Sequence, residues 1–190
     1  MSKALATFVR EVTLALNQSL EEEFIVPIVK KEMKALVTDS SWLPDPFSLC
    51  ASEGYRQYLL YCDPLERFSV VSFVWGPEQR TPVHDHTVWG VIGQMIGEEA
   101  SQSFLKDETG KLVPVGPPDL LRRGEIAVVS PKEIDVHYVS NPSSSAKAIS
   151  IHAYGGNIGK IKRHTYNIDD GTRKEFISSY SNTVLPNIWL

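Results

Sequence analysis

Only two cysteines, Cys50 and Cys62, occur in 190 residues. Two are too few for a disulfide framework, and nothing else points to export. Both are expected to be reduced, buried bystanders in a cytoplasmic protein. Long apolar runs are missing as well. No stretch approaches the roughly 18 residues that cross a membrane. The opening residues, MSKALATFVREVTLALNQSLEEEF, break their apolar pattern with charges and lack a cleavage-type end, unlike a signal peptide. Charge of one sign is scarce: 19 Lys and Arg against 23 Asp and Glu leave a net charge of −4. The densest basic pieces, Lys30-Lys31 and Lys160 to Arg163, are short, so the footprint of a nucleic-acid binder is missing. No repeat or low-complexity linker divides the chain, which is expected to form one domain over residues 1–190.

What is present is a turn-rich chain, with 12 Gly and 12 Pro and a hydrophobic content of 42%, enough for a sizeable core. Residues 4–37 carry apolar side chains at helical spacing. Phe8, Val9, Val12, Leu14 and Leu16 form one face, and Ile25, Ile28, Val29, Met33 and Leu36 a second, with Pro27 placed in a first turn. Pro44 and Pro46 then end helical texture. About eight short runs follow, among them FSVVSFVW, VWGVIGQMI, EIAVVS and AKAISIHAY, separated by turns such as DPLE, DETGK and RRGE. This pattern predicts a mostly β fold, an antiparallel sandwich or jelly roll over residues 50–170, with the helical segment 1–40 packed on it. The apolar C-terminus, TVLPNIWL, is expected to tuck against the sheets; an oligomer contact would look the same, so oligomeric state stays open.

Five histidines stand at 84, 86, 137, 152 and 164. In a strand, His84 and His86 would project to one face while Asp85 between them pointed away, to anchor a turn. Two imidazoles on one face are half of a metal site, and a pair of buried, hydrogen-bonded rings would give the same pattern. Ser150, His152 and Tyr154 likewise alternate along one strand. A hydroxyl, an imidazole and a phenol in line can pass a proton or orient the phenol; an ordinary polar sheet face would also alternate.

The longer spacing separates these readings. Gly76 precedes His84 and His86, Gly90 and Gly97 follow, and Gly124, Pro131, His137 and Asn141 come later. This order resembles the two-part motif of the cupin superfamily, a jelly-roll barrel with an interior metal held by three histidines and an acid. Here Gly90 occupies the acidic position, and the spacings run about one or two residues long. Three neutral imidazoles leave a divalent metal its full charge, favouring an anionic ligand such as a thiolate. Zn²⁺ also accepts three histidines and water.

With the Ser-x-His-x-Tyr strand, HDHTVWGVIG resembles the thiol dioxygenases: cysteine dioxygenase and its bacterial relatives, including 3-mercaptopropionate dioxygenase. The resemblance covers roughly Tyr55 to Arg163. It implies one Fe(II) per chain on His84, His86 and His137, with Ser150, His152 and Tyr154 as a hydrogen-bonded relay beside it. Where mammalian-type cysteine dioxygenases carry an Arg for the substrate carboxylate, this chain has Gln57. The mercaptopropionate-type enzymes instead use an Arg nine residues after the relay Tyr, and Arg163 stands there. A solvated charge beside Lys160 and Lys162 is the competing role for Arg163, and Arg56 is the alternative clamp. No cysteine follows the first motif, so no Cys–Tyr cross-link is expected on Tyr154.

The resemblance thus implies an oxidoreductase that takes a small thiol and O₂ to a sulfinic acid, 3-mercaptopropionate being the favoured substrate and cysteine the alternative. A Zn- or Mn-dependent cupin enzyme and a non-catalytic binding cupin are the remaining alternatives. Trp75 and Trp89 are expected in the core, and His164 exposed or supporting the site from outside.

Overall fold

The computed structural model describes residues 3–188. Two helices open it, α1 (Lys3–Leu16) and α2 (Glu22–Leu36). Eleven strands follow: β1 (Arg56–Cys62), β2 (Ser69–Trp75), β3 (Gly90–Ile96), β4 (Glu98–Lys106), β5 (Leu112–Pro114), β6 (Asp119–Arg122), β7 (Ile126–Val129), β8 (His137–Ser140), β9 (Ala148–Tyr154), β10 (Arg163–Tyr166) and β11 (Arg173–Phe176). No helix among the described residues is long and apolar enough to cross a membrane.

The helices form because apolar side chains recur every three or four residues. Leu5, Phe8, Val9, Val12 and Leu16 of α1 are buried, as are Ile25, Val29, Met33 and Leu36 of α2. Glu22 and Glu23 lie in the first turn of α2, where acid favours the positive helix end. The helix therefore begins ahead of Ile25. Pro27 falls inside it rather than in its first turn, and its ring leaves one carbonyl of the preceding turn without its usual N–H donor.

Five antiparallel strands make the larger sheet, in the order β1-β2-β9-β3-β7. β2 and β9 are buried at every residue, which matches their nearly unbroken apolar or small composition. One face packs against α1 and α2 through Val70, Val74, Val91, Met95, Ile149 and Ile151. The opposite face carries Val71, Phe73, Trp75, Ile92 and Tyr154. In a second sheet, β5, β6 and β8 all pair with β4, while β10 and β11 pair with each other.

The mostly β architecture with N-terminal helices matches the sequence pattern, but among the described residues no sheet closes on itself into a barrel. The physical reason is local. β10 reaches the rest of the fold through an isolated bridge between His84 and Thr165, not a ladder. β5, β6 and β11 are three or four residues long and were hidden in stretches with little β-branched content. Two thiol expectations also need correcting: Cys50 is exposed and Cys62 only half-buried, both free. At the C-terminal end, Asn182 brackets Leu59, accepting its N–H at 2.8 Å and donating to its carbonyl at 2.9 Å. Ile188 joins the helix-side core, whereas Val184 and Leu185 are exposed. Trp189 and Leu190 lie outside the described residues.

Candidate metal centre

His84 and His86 sit in the loop between β2 and β3, not on a strand as the alternation implied. His84 is nonetheless held in extended pairing with His137. Its N–H donates to the His137 carbonyl at 2.8 Å, and the His137 N–H donates back at 3.0 Å. Thr87 in the turn that follows is left-handed at φ 61°, and the His86 ring centroid lies 4.9 Å from that of His84 and 5.0 Å from that of His137. The three side chains each offer a ring nitrogen, and these atoms lie within 4.8 Å of one another.

Each ring is oriented by a bond to its other nitrogen. His84 Nδ1 donates to the Pro82 carbonyl at 3.0 Å and His86 Nδ1 to Asp135 Oδ1 at 2.8 Å, while His137 Nδ1 and Ser101 Oγ are hydrogen-bonded at 3.1 Å. Asp135 also accepts the backbone N–H groups of His86 and Thr87, at 2.8 and 3.0 Å. Fixing Nδ1 in this way leaves Nε2 to face a metal. His137 Nε2 is buried with no hydrogen-bond partner, the state expected of a metal ligand. Burial above all holds His84 and His137 well below the ordinary histidine range, with repulsion from His86 adding to it. Both rings are therefore neutral near pH 7, as ligation requires. Burial raises the Asp135 carboxyl, but the bonds and charge of His86 outweigh it and hold it low.

The set opens on a cavity of about 200 Å³, lined among others by Tyr55, Phe73, Glu99, Tyr154 and Arg163. From β9, His152 and Tyr154 line it, with Ser150 behind them: Ser150 Oγ lies 2.7 Å from His152 Nε2, and His152 Nδ1 lies 2.8 Å from the Tyr154 hydroxyl. Tyr154 stacks on His86 with centroids 5.5 Å apart. Burial foremost pushes its phenol pKa up, against an opposing pull from Arg163, so the phenol is protonated near pH 7. Gly90 is paired with Tyr154 across β3 and β9. A Cβ at Gly90 would come within 2.8 Å of both the Tyr154 ring and Val129 Cγ2. The tyrosine ring thus occupies the space a side chain there would need.

The cysteine dioxygenase type I family model matches residues 7–167. The chain belongs to that family. Solved structures similar to it include an uncharacterized conserved protein with a double-stranded β-helix domain from Klebsiella pneumoniae, at 14% identity, TM-score 0.47, covering 69% of this chain and 91% of that one. TT1209 from Thermus thermophilus is 19% identical, with TM-score 0.45 and coverage of 58% and 91%. A recombinant oxalate oxidase in complex with glycolate is also 19% identical, with TM-score 0.43 and coverage of 56% and 53%.

In this family member, the structure brings together His84, His86, His137, Tyr154, Arg163 and Gln57 around one cavity. Arg163, at 4% exposed, is no solvated neighbour of Lys160 and Lys162. Its Nη2 donates to Ser178 Oγ at 2.7 Å, its guanidinium lies 4.7 Å from the Phe176 centroid, and its Nε has no partner. Gln57 Nε2 donates to the same Ser178 hydroxyl at 2.9 Å and to the Ser179 carbonyl. Arg56 is exposed. Asp85 faces β10, accepting from the His164 backbone N–H and ring Nδ1 and from the Tyr166 hydroxyl, which ties the ligand loop down. His164 is half-buried. Trp75 is buried in the core as expected but also lines the cavity, while Trp89 packs on the helix side. Cys62 neighbours Asp63 and Cys50 neighbours the Trp75 carbonyl, and neither lines the cavity.

Sequence reasoning missed Asp135, Ser101, Ser178 and Glu99. Asp135 had a signal, standing two residues before His137 in EIDVHYV. Glu99 and Ser101 had a weaker one, the alternation in EEASQSF. Ser178 had none, because the segment that carries it is brought to β1 only by the fold.

Proposed function

We propose that this protein is an iron-dependent thiol dioxygenase that converts a small carboxylate-bearing thiol and O₂ to the sulfinic acid. The observation that carries this is the three-histidine set facing one small cavity together with a buried arginine and a buried tyrosine. Family membership favours cysteine as the thiol, in place of the 3-mercaptopropionate that the sequence resemblance favoured. One observation keeps 3-mercaptopropionate as a second reading: Gln57 stands where a carboxylate-binding Arg is expected, and Arg163 takes the buried position instead.

His84, His86 and His137 would hold Fe(II), which supplies a Lewis-acidic, redox-active centre where a thiolate and O₂ meet. The partnerless Nε and the rest of the Arg163 fork would bind the substrate carboxylate, with Phe176 and Ser178 fixing the plane of the guanidinium. That anchor orients the thiol end toward the histidines. Tyr154, held by His152, would give a hydrogen bond at the reacting sulfur. Both oxygen atoms end on sulfur, which supplies the four electrons, so no external reductant is needed.

The test is O₂ uptake by the iron-loaded protein with cysteine, 3-mercaptopropionate and cysteamine, for wild type and Arg163→Ala. Loss of a charge-assisted fork should lower kcat/KM for the two acids by about 10- to 100-fold and leave cysteamine nearly unchanged. No O₂ uptake with any of the three sinks the proposal.

A further inference from the structure

Glu99 is an acid in an apolar place. It lines the metal cavity from β4, is 3% exposed, and its Oε1 has no hydrogen-bond partner. Burial, the largest effect, raises its carboxyl to about 7, against the pull of the Ser150 hydroxyl and the Trp75 indole. The indole lies close enough to favour the ionised form, yet Trp75 Nε1 has no hydrogen-bond partner either. Nothing in the thiol chemistry above uses this side chain.

Its neighbour Ser150 begins the line that ends at Tyr154. His152, in the middle, is neutral: burial foremost, then repulsion from His86 and His137, holds it well below the ordinary range. A neutral imidazole has one N–H. Flanked by two hydroxyls at 2.7 and 2.8 Å, it admits two polarities of the whole line. With the hydrogen on Nδ1, His152 donates to Tyr154, whose own O–H is released to the cavity. Nε2 then accepts from Ser150, and Ser150 Oγ needs a donor behind it. With the hydrogen on Nε2, His152 donates to Ser150, whose O–H needs an acceptor. Nδ1 then takes the Tyr154 hydrogen away from the cavity.

We propose that Glu99 sets this polarity: as an acid it donates to Ser150 and turns the Tyr154 O–H into the metal cavity, and as a carboxylate it reverses the line. Glu99 is a positioning residue that acts through Ser150 and His152. Ser150 and Tyr154 of β9 and Trp75 of β2 interact with its carboxyl, and Tyr55, His84, His86, Asp119, His137, His152 and Arg163 are the other titratable or charged groups lining the same cavity. Gln94 of β3, opposite Ser150, does not titrate; its Nε2 donates to the Ile96 carbonyl at 3.0 Å and its Oε1 is unpartnered. The tautomer assignment stands by itself, whereas its consequence for catalysis rests on the thiol dioxygenase reading.

The test is ¹⁵N NMR of the His152 ring in the full-length, metal-free protein, assigned by its loss in His152→Asn. From about pH 6 to about pH 8.5, wild type should pass from the Nδ1–H to the Nε2–H tautomer, with a midpoint at about 7. Glu99→Gln, which cannot titrate, should hold one tautomer throughout. Ser150→Ala, which cuts the connection, should also abolish the pH dependence. A wild-type His152 that keeps one tautomer, or one that switches equally in Glu99→Gln, overturns the proposal. In the iron-loaded enzyme, kcat/KM should fall about 10-fold per pH unit above 7 in wild type and stay flat in Glu99→Gln. Absence of thiol oxidation would remove that arm and the functional reading with it, while the NMR result would still decide the role of Glu99.

Discussion

On the helix side of β9, Ile149, Ile151 and Ala153 have no exposed surface and belong to the apolar cluster packed under the helices. On the cavity side of the same strand, Ser150, His152 and Tyr154 are 0, 5 and 2% exposed, yet each carries a polar atom engaged in a hydrogen bond. Burial is equal and chemistry opposite. Gly90 and Gly93 on β3 repeat the contrast. A Cβ at Gly93 would meet Val37 and Met33 of the helix layer, and one at Gly90 would meet Tyr154. The helix side converts buried area into stability. The cavity side keeps neutral histidines, an arginine and a carboxyl away from water, and that is stability given up for a site.

Three experiments test this contrast. The largest effect is expected from Ile151→Ala, which should cost about 2–5 kcal/mol in a denaturant titration while bound metal per chain stays unchanged. A loss of metal at full stability would erase the distinction between the faces.

Next comes pH. In the metal-free protein, His84, His137 and His152 have folded pKa values well below 6.5, so below pH 6.5 the unfolded chain binds protons that the folded chain refuses. Stability present above 6.5 is lost as pH falls through it. Glu99, raised from 4.5 to about 7, acts in the opposite sense between those values and offsets one histidine. With three histidines refusing protons and one carboxyl taking one up, stability should fall toward pH 5 by roughly two protons' worth, on the order of 3 kcal/mol per pH unit, read from urea midpoints. A flat profile would mean that these rings are not buried and neutral.

The smallest effect is expected from Asp135→Asn. It loses the carboxylate that orients His86 and should lower metal affinity by about 10- to 100-fold in a chelator competition, with kcat per bound metal altered less.

Much of the fold was legible because its signals are local. Helical spacing in Leu5 to Leu36 and the alternation of Ser150, His152 and Tyr154 follow from backbone period alone. β5, β6 and β11 were not legible, being too short for a period to show. The histidine set was reachable through motif spacing, yet the strand that was to align His84 and His86 is a loop, and a bridge to His137 and the Asp135 carboxylate hold the two in place.

The residues alone carry the inventory and its periodicity: three histidines without a carboxylate at Gly90, a polar stripe on one strand, and an arginine nine residues beyond it. Tertiary structure alone decided which side chains support them. Asp135 behind His86, Ser101 behind His137, Ser178 beside Arg163 and Glu99 behind Ser150 are joined across long sequence separations. The physical reason is that burial, not residue type, makes them matter. The same carboxyl that would be an ordinary solvated acid at the surface becomes, at 3% exposure, a group that titrates near neutral pH beside a hydrogen-bonded line.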